Sequence, residues 1–131
     1  MTAPTKIHAG VEIIPTVIVR TGHTVLTEIL NGKNLRRLAI TEPKTGFKRR
    51  MHRHLRRDDY LYLLTGNVTL ITYDGRTYAK IPMTPRGDVV LVPKGIWHGY
   101  EIGSERSVIL EASSQAFDPT DVEEFQGKEQ S

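Results

Sequence analysis

Short apolar runs rich in β-branched residues follow one another along the chain, separated by turn residues, and no stretch before Pro119 keeps a helical period. This pattern predicts about ten short strands, which is typical of a sandwich or a barrel. The predicted strands are Val11–Val19, Thr24–Leu30, Leu35–Thr41, Lys48–His54, Asp59–Leu64, Asn67–Tyr73, Arg76–Ile81, Val89–Val92, His98–Ile102 and Arg106–Ala112.

Proline, glycine and asparagine refine this pattern. Pro15 has no N–H to donate, so the first run is expected to be an edge strand or two short strands. Arg20–His23 is predicted to be a turn, and Asn31–Lys33, with its Asn-Gly pair, is a strong hairpin signal. Pro119–Phe125 is predicted to form one short C-terminal helix, because Asp118 can serve as its N-cap.

The composition is that of an ordinary globular protein, with 131 residues, 38% hydrophobic and 25% charged. One domain over residues 1–131 is the simplest reading, with residues 1–10 and 127–131 expected to be peripheral or frayed. The absence of cysteine excludes disulfides and thiolate sites. Because no apolar run could span a membrane and the start lacks a signal-peptide core, we expect a cytoplasmic protein without a membrane partner.

Charge is unevenly distributed around a net value of +3. Six of the ten residues from Lys48 to Arg57 are basic, whereas the segment Asp118–Glu129 is acidic. A uniformly basic surface would indicate nucleic acid as a partner. Here the basic cluster surrounds a pair of histidines, which favours a small anionic ligand such as a diphosphate over nucleic acid.

The pair is His52 and His54, two residues apart on a predicted strand, so both side chains point to the same face. A third histidine, His98, follows a Pro-Lys-Gly turn, and Tyr100 shares its face. By the same alternation, Lys48 and Arg50 share the face of the histidine pair and Arg49 does not. To reach the histidines, Arg49 would therefore need a bulge in its strand. Otherwise it would act at the mouth of the barrel or in a dimer partner's site.

Alternation also turns the side chains of Tyr60 and Tyr62 away from the face of Asp59, so these two are expected to be packing or surface residues. His8, His23, Asp118 and Asp121 are expected at the surface, with Asp118 also capping the helix.

Two spaced motifs resemble those of the cupin superfamily. The first comprises Gly46, His52, His54, Asp59 and Gly66; the second comprises Gly87, Pro93–Gly95 and His98. Asp59 stands where cupins usually have Glu, and Ile102 where they have Asn. The resemblance implies an all-β, cupin-type double-sheet jelly-roll barrel with its three histidines facing the interior.

Nearly the whole chain is similar to the sugar-nucleotide cupins, which include the dTDP-4-keto-6-deoxyhexose 3,4-ketoisomerases and, more distantly, the 3,5-epimerases. The similar pieces are Arg20–Gly22 with Glu28, Arg49–His54, Val90–Tyr100 and Ala112–Phe125. The resemblance implies that His52 acts as a base and that Arg49 helps to hold the nucleotide diphosphate. It also implies a homodimer.

The first hypothesis is a metal-independent isomerase or epimerase of a nucleotide-linked 4-keto-6-deoxy sugar, without a cofactor. Such a reaction removes a proton next to a ketone, for which neutral histidine is a suitable base. The catalytic residues would be His52 with His54 or Tyr100 as second proton carrier. The substrate-binding residues would be Arg49, Arg50, Lys48 and His98, together with Trp97, which otherwise serves in packing or a dimer interface.

Two alternatives use the same residues. A metal-dependent oxygenase or isomerase would bind one divalent Fe, Mn, Ni or Zn ion through His52, His54, Asp59 and His98. Against it, Asp is one methylene shorter than Glu, and the neighbouring positive charge opposes a cation. The other alternative is a non-catalytic cupin that binds a sugar or an anion.

Overall fold

The computed structural model describes residues 4–127, which contain thirteen strands and no helix. Among these residues, no helix of the length and hydropathy needed to cross a membrane is found. The strands are β1 Thr5–His8, β2 Val11–Ile14, β3 Val17–Arg20, β4 Val25–Glu28, β5 Arg37–Thr41, β6 Lys48–Arg53, β7 Asp59–Thr65, β8 Val68–Tyr73, β9 Tyr78–Met83, β10 Val89–Val92, β11 Trp97–Ile102, β12 Val108–Ser113 and β13 Glu123–Glu124.

Two antiparallel sheets form the barrel. The six-stranded sheet has the order β1-β2-β10-β7-β12-β5, and the five-stranded sheet has the order β13-β6-β11-β8-β9. Alternate side chains of both sheets point inward, as the period of a strand requires. They form one apolar core, and the predicted all-β double-sheet barrel is confirmed. The core residues are Val11, Leu61, Leu63, Val68, Leu70, Ile81, Met83, Val90, Val92, Ile96, Ile102 and Ile109.

The strands β3 and β4 form a separate hairpin. They pair only with each other among the described residues, across the predicted turn at Arg20–His23. Pro15 divides β2 from β3, as expected of a residue without an N–H. The hairpin predicted at Asn31–Lys33 is wrong, because the next strand, β5, pairs with β12 instead of β4. A tertiary pairing has overridden the local turn signal.

The predicted C-terminal helix is also wrong. Pro119 and Thr120 form a turn closed by a hydrogen bond from the Asp121 N–H to the Asp118 carbonyl oxygen (3.0 Å). The chain then becomes β13, which pairs with the end of β6. Asp118 does accept the N–H of Thr120 through its carboxylate (2.9 Å), as an N-cap would, but the residues that follow extend the sheet. Local capping chemistry is the same for a turn and a helix start.

The N-terminal end of the described residues adds a further strand that the sequence pattern does not predict. Residues 5–8 form β1, which is an edge strand paired with β2. His8, expected at the surface, has a side chain only 12% exposed, and its Nε2 lies 2.6 Å from the Thr72 hydroxyl. Residues 1–3 and 128–131, part of the ends expected to be peripheral, lie outside the described residues.

Candidate active site

A cavity of about 360 Å³ lies inside the barrel, between the two sheets and beside the segment 117–122. Most of the residues that line it are polar or charged, which is unusual for the interior of a small β-barrel. The polar side chains that line it include Arg37, Arg49, His52, His54, Arg57, Asp59, His98, Tyr100 and Glu111.

The three predicted histidines meet at this cavity. Pairing of β6 with β11 places His98 directly opposite His52. The ring centroids of these two lie 4.4 Å apart, and His54 lies 5.3 Å from His52 and 5.7 Å from His98. All three side chains are buried. The structure thus brings together the residues that the two sequence motifs single out.

Backbone carbonyl groups orient all three imidazoles. Nδ1 of His52 lies 3.0 Å from the Arg50 carbonyl oxygen, and Nδ1 of His54 lies 2.6 Å from that of Asp121. Nδ1 of His98 lies 3.0 Å from the Ile96 carbonyl oxygen. A carbonyl oxygen can only accept, so Nδ1 donates in each case, and Nε2 carries the lone pair in the neutral ring. Burial, followed by the neighbouring His98, lowers the pKa of His52 to about 2. Burial also lowers the pKa of His98 to about 4.

These low pKa values predict that the protein loses stability as the pH falls below about 6.5, the ordinary pKa of histidine. In that range the unfolded chain protonates His52 and His98, whereas the folded chain keeps both neutral. The free energy of unfolding should then fall by up to about 1.4 kcal/mol per pH unit for each histidine. Urea unfolding between about pH 7 and pH 5 measures this slope. The variant His98→Gln should have a shallower slope, and an unchanged slope would contradict the prediction.

Arg57, from the loop before β7, forms a buried network with two acids. Its side chain is 7% exposed. Nε donates to Asp59 Oδ1 (2.9 Å), and Nη2 lies within hydrogen-bond distance of Asp59 Oδ2 (3.3 Å), Glu111 Oε1 (3.1 Å) and His54 Nε2 (3.1 Å). The hydroxyl of Ser113 also donates to Asp59 Oδ1 (2.8 Å). Both carboxylate oxygens of Asp59 therefore have hydrogen-bond partners inside the protein.

The predicted four-ligand metal set does not fit this arrangement. The ligand atoms of His52, His54 and His98 lie within 4.8 Å of one another, as a three-histidine site would require. However, the guanidinium of Arg57 bonds to His54 Nε2 and to both oxygens of Asp59. Two of the four predicted ligands are thus engaged by a cation, beside which a metal ion would be repelled.

A bulge in β6 places Arg49 on the cavity side. His98 pairs with His52 but Tyr100 pairs with Arg49, so three steps along β6 match two along β11. The extra residue reverses the alternation of side chains on β6. Gly99 lies opposite the bulge, where a Cβ atom would come within 2.4 Å of the Arg49 carbonyl oxygen. This close approach explains a residue without a side chain at that position.

The other predicted substrate-binding residues lie away from the cavity lining. Lys48 and Arg50 are exposed residues of β6, and Lys48 Nζ lies 4.0 Å from Glu101 Oε1. Trp97 is half-buried, and the guanidinium carbon of Arg53 lies over its ring, 4.4 Å from the ring centroid. The ring of Phe125 contacts the Trp97 ring edge-on, at a centroid distance of 5.0 Å. In this arrangement Trp97 packs against Phe125, the residue that follows β13.

Four residues of the site have no counterpart in the sequence-based prediction. Arg37, Arg57 and Glu111 line the cavity, and Asp121 supports it. Asp121 was expected at the surface, but it is 2% exposed, and its carboxylate accepts the N–H groups of Leu55 and Arg56 (2.8 and 3.0 Å). For Glu111 the signal was present, because it lies two residues from Ile109 and two from Ser113 and therefore shares the face of these buried residues on β12.

A family model identifies the chain. The model of FdtA, described as WxcM-like, C-terminal, matches residues 28–128, which is more than half of the sequence. The chain belongs to this family. No curated protein matches the sequence.

Solved structures share the fold of this family member. The TDP-quinovose 3,4-ketoisomerase WlaRB from Campylobacter jejuni is 19% identical with a TM-score of 0.80, covering 87% of this chain and 92% of its own. The RmlC epimerase of Mycobacterium tuberculosis is 14% identical with a TM-score of 0.80, covering 94% and 72%. A mutant of the 3,4-ketoisomerase QdtA from Thermoanaerobacterium thermosaccharolyticum, in complex with TDP-4-keto-6-deoxyglucose, is 17% identical with a TM-score of 0.77, covering 88% of each chain.

Proposed function

We propose that this protein is a metal-independent isomerase or epimerase of a nucleotide-linked 4-keto-6-deoxy sugar. The observation that carries the proposal is the pairing of a neutral, buried His52 with Arg49 on one wall of the cavity. The names of the structural relatives support it: one is a TDP-quinovose 3,4-ketoisomerase, one is an epimerase, and one is a 3,4-ketoisomerase in complex with TDP-4-keto-6-deoxyglucose. The arrangement offers a base for a carbon acid beside a cation for an anionic nucleotide.

His52 is suited to take the proton from the carbon next to the ketone. Its Nδ1–H is fixed on the Arg50 carbonyl oxygen, so Nε2 is the accepting atom. Its low pKa means that it is neutral at every pH near 7. Tyr100 faces the same cavity, and burial raises its pKa, so it stays a phenol that can donate to the substrate. His98 lines the wall beside them.

The diphosphate would bind at the cationic side of the cavity. Arg49 and Arg37 both line it, and a guanidinium can bind phosphate oxygens through two parallel N–H groups. Lys48 and Arg50 add positive charge on the exposed side of β6, which would attract a dianion at longer range.

The test is incubation of the protein with TDP-4-keto-6-deoxyglucose in D₂O, followed by proton NMR. We expect loss of the signal of the proton next to the ketone and formation of an isomeric keto sugar, with EDTA without effect. Loss of activity with EDTA and its return with Fe, Mn, Ni or Zn would favour the metal-dependent alternative. Saturable binding of TDP without exchange would favour a non-catalytic binding protein.

We also propose that the protein is a homodimer, because two of its surfaces expose apolar side chains. On the edge strand β5, Leu38 is 74% exposed and Ile40 is 64% exposed. Leu38 borders an apolar groove with Tyr60 and Tyr62, the tyrosines that alternation turns away from the cavity. The hairpin β3–β4 exposes further apolar residues, namely Ile18, Val19, Val25 and Leu26. Contiguous apolar surface of this kind marks an interface.

Light scattering after gel filtration tests the dimer. We expect the wild-type mass to be twice that of one chain, and the double variant Leu38→Lys, Ile40→Lys to be a monomer. A monomeric wild-type protein at micromolar concentration would rule out the proposal.

A further inference from the structure

Glu111 places a carboxyl group inside the barrel. It belongs to β12, whose neighbouring inward-facing residues Ile109 and Ser113 are buried. The Glu111 side chain is 20% exposed, and it lines the same cavity as His52 and Tyr100. A carboxyl group in such a position requires partners, because burial of an unpaired charge is costly.

The partners of Glu111 are two guanidinium groups, and both contacts are made by one oxygen. Oε1 accepts from Arg57 Nη2 (3.1 Å) and from Arg37 Nη1 (3.3 Å). In a protonated carboxyl group the carbonyl oxygen accepts hydrogen bonds and the hydroxyl oxygen donates one. This arrangement matches a carboxylic acid whose Oε2 carries the proton.

The nearby carboxyl group of Asp59 also favours the protonated form of Glu111. Asp59 holds Arg57 through both of its oxygens and also accepts the Ser113 hydroxyl. Two carboxyl groups in one buried site resist ionising together. Burial first and Asp59 second raise the pKa of Glu111, against the opposing effect of Arg57, Arg37 and His54. Glu111 is thus poised to exchange a proton.

His54 is poorly placed to be the second proton carrier. Its Nδ1–H donates to the Asp121 carbonyl oxygen, and its Nε2 accepts from Arg57. It therefore presents to the cavity neither a proton nor a free lone pair.

We propose that Glu111 is the second proton carrier of the isomerisation, a role that rests on the proposed function. His52 Nε2 takes the proton from the carbon bearing the neighbouring hydroxyl. The C–H electron pair forms the C=C bond of an enediol, and the former carbonyl oxygen takes the proton from Glu111 Oε2. The Glu111 carboxylate then takes the proton of the other enediol hydroxyl as that oxygen becomes the ketone. The former carbonyl carbon takes the proton back from His52, and both residues return to their starting states.

The variant Glu111→Gln tests this role, because an amide oxygen can still accept from both arginines while the group cannot transfer a proton. We expect the rate on TDP-4-keto-6-deoxyglucose to fall by about 10²–10⁴-fold, with TDP binding unchanged. The matched control Glu101→Gln changes an acid on β11 that is half-buried and paired with Lys48, and should keep the wild-type rate.

The pH profile gives a second readout. In the wild type kcat should fall as the pH rises through the pKa of Glu111, and this alkaline limb should be absent from the residual rate of Glu111→Gln. The charged and titratable groups around Glu111 are Arg37 on β5, His54 and Arg57 between β6 and β7, Asp59 on β7 and Tyr100 on β11. The variant Tyr100→Phe separates the phenol, since it should keep the limb.

Each outcome decides between the two proposals. A wild-type protein that exchanges the α-proton, with a Glu111→Gln variant of similar rate and unchanged limb, would overturn the role of Glu111 and leave the proposed function intact. A wild-type protein that neither exchanges the α-proton nor forms the isomeric keto sugar would overturn both. If Glu111→Gln fails to bind TDP, Glu111→Asp is decisive: it should recover part of the rate and the limb. An Asp variant that binds TDP but does not turn over would also overturn the role.

Discussion

Replacing His52 with Asn is expected to slow exchange of the substrate α-proton with D₂O by about 10²–10⁴-fold, while TDP binding stays unchanged. Asn can keep a hydrogen bond to the Arg50 carbonyl oxygen, which His52 Nδ1 now makes. It lacks the basic Nε2 that faces the cavity. The change therefore removes the base with little effect on the shape of the site or on Arg49. Proton NMR of TDP-4-keto-6-deoxyglucose and calorimetric titration with TDP measure the two quantities.

The control for this prediction is His23→Asn, which changes an exposed histidine in the turn between β3 and β4. It should exchange the proton at the wild-type rate. An exchange rate in His52→Asn equal to that of the control would remove His52 from the role of base. A parallel loss of TDP binding would instead show that His52 acts in holding the nucleotide.

The core of the site could be predicted because local alternation and spacing determine it. His52 and His54 share a face since they are two residues apart on one stretch, and the Pro-Lys-Gly turn precedes the strand of His98. The pairing of β6 with β11 then needs only the register of two strands, which places His98 opposite His52. Spacing placed His52 and His54 on one face, and the resemblance of the two motifs to those of the cupins added His98.

The alternation of side chains along a strand gave a wrong prediction in β6, where a single extra residue changes the register. Arg49 was predicted to point away from the histidines, and the bulge in β6 brings it to the cavity. The same reversal explains why Lys48, which alternation had placed beside the histidines, lies on the exposed side. Gly99 was the available signal, since a glycine inside a strand often marks a bulge on its partner or a close approach of backbones.

The charge network could not be predicted, because its members are distant in sequence. Arg57 and Glu111 are 54 positions apart and meet only because β7 and β12 are neighbours. From sequence alone, Arg57 was one of six basic residues in a run expected to bind an anionic ligand. Its burial shows that this arginine serves the interior of the protein.

This network makes Asp59 the residue with the largest expected effect on stability. The variant Asp59→Asn should lower the free energy of unfolding by about 3–5 kcal/mol, because it leaves the buried Arg57 without the charge that balances it. Asn also presents an N–H toward the Arg57 donors in place of one carboxylate oxygen. Urea unfolding at neutral pH measures the loss. Asp88→Asn, at an exposed position just before β10, is the matched control and should unfold like the wild type.

A second variant separates the charge from the shape of the site. Removing both charges, in Arg57→Met with Asp59→Asn, should recover much of the lost stability, because a buried pair replaced by groups of similar volume is often neutral. A loss of less than about 1 kcal/mol in Asp59→Asn would mean that Glu111 alone is sufficient to hold Arg57. In that case Glu111 would be the ionised partner of Arg57, and the assignment of the two acids would be reversed. The stability of these variants therefore bears directly on which carboxyl group can carry a proton in the reaction.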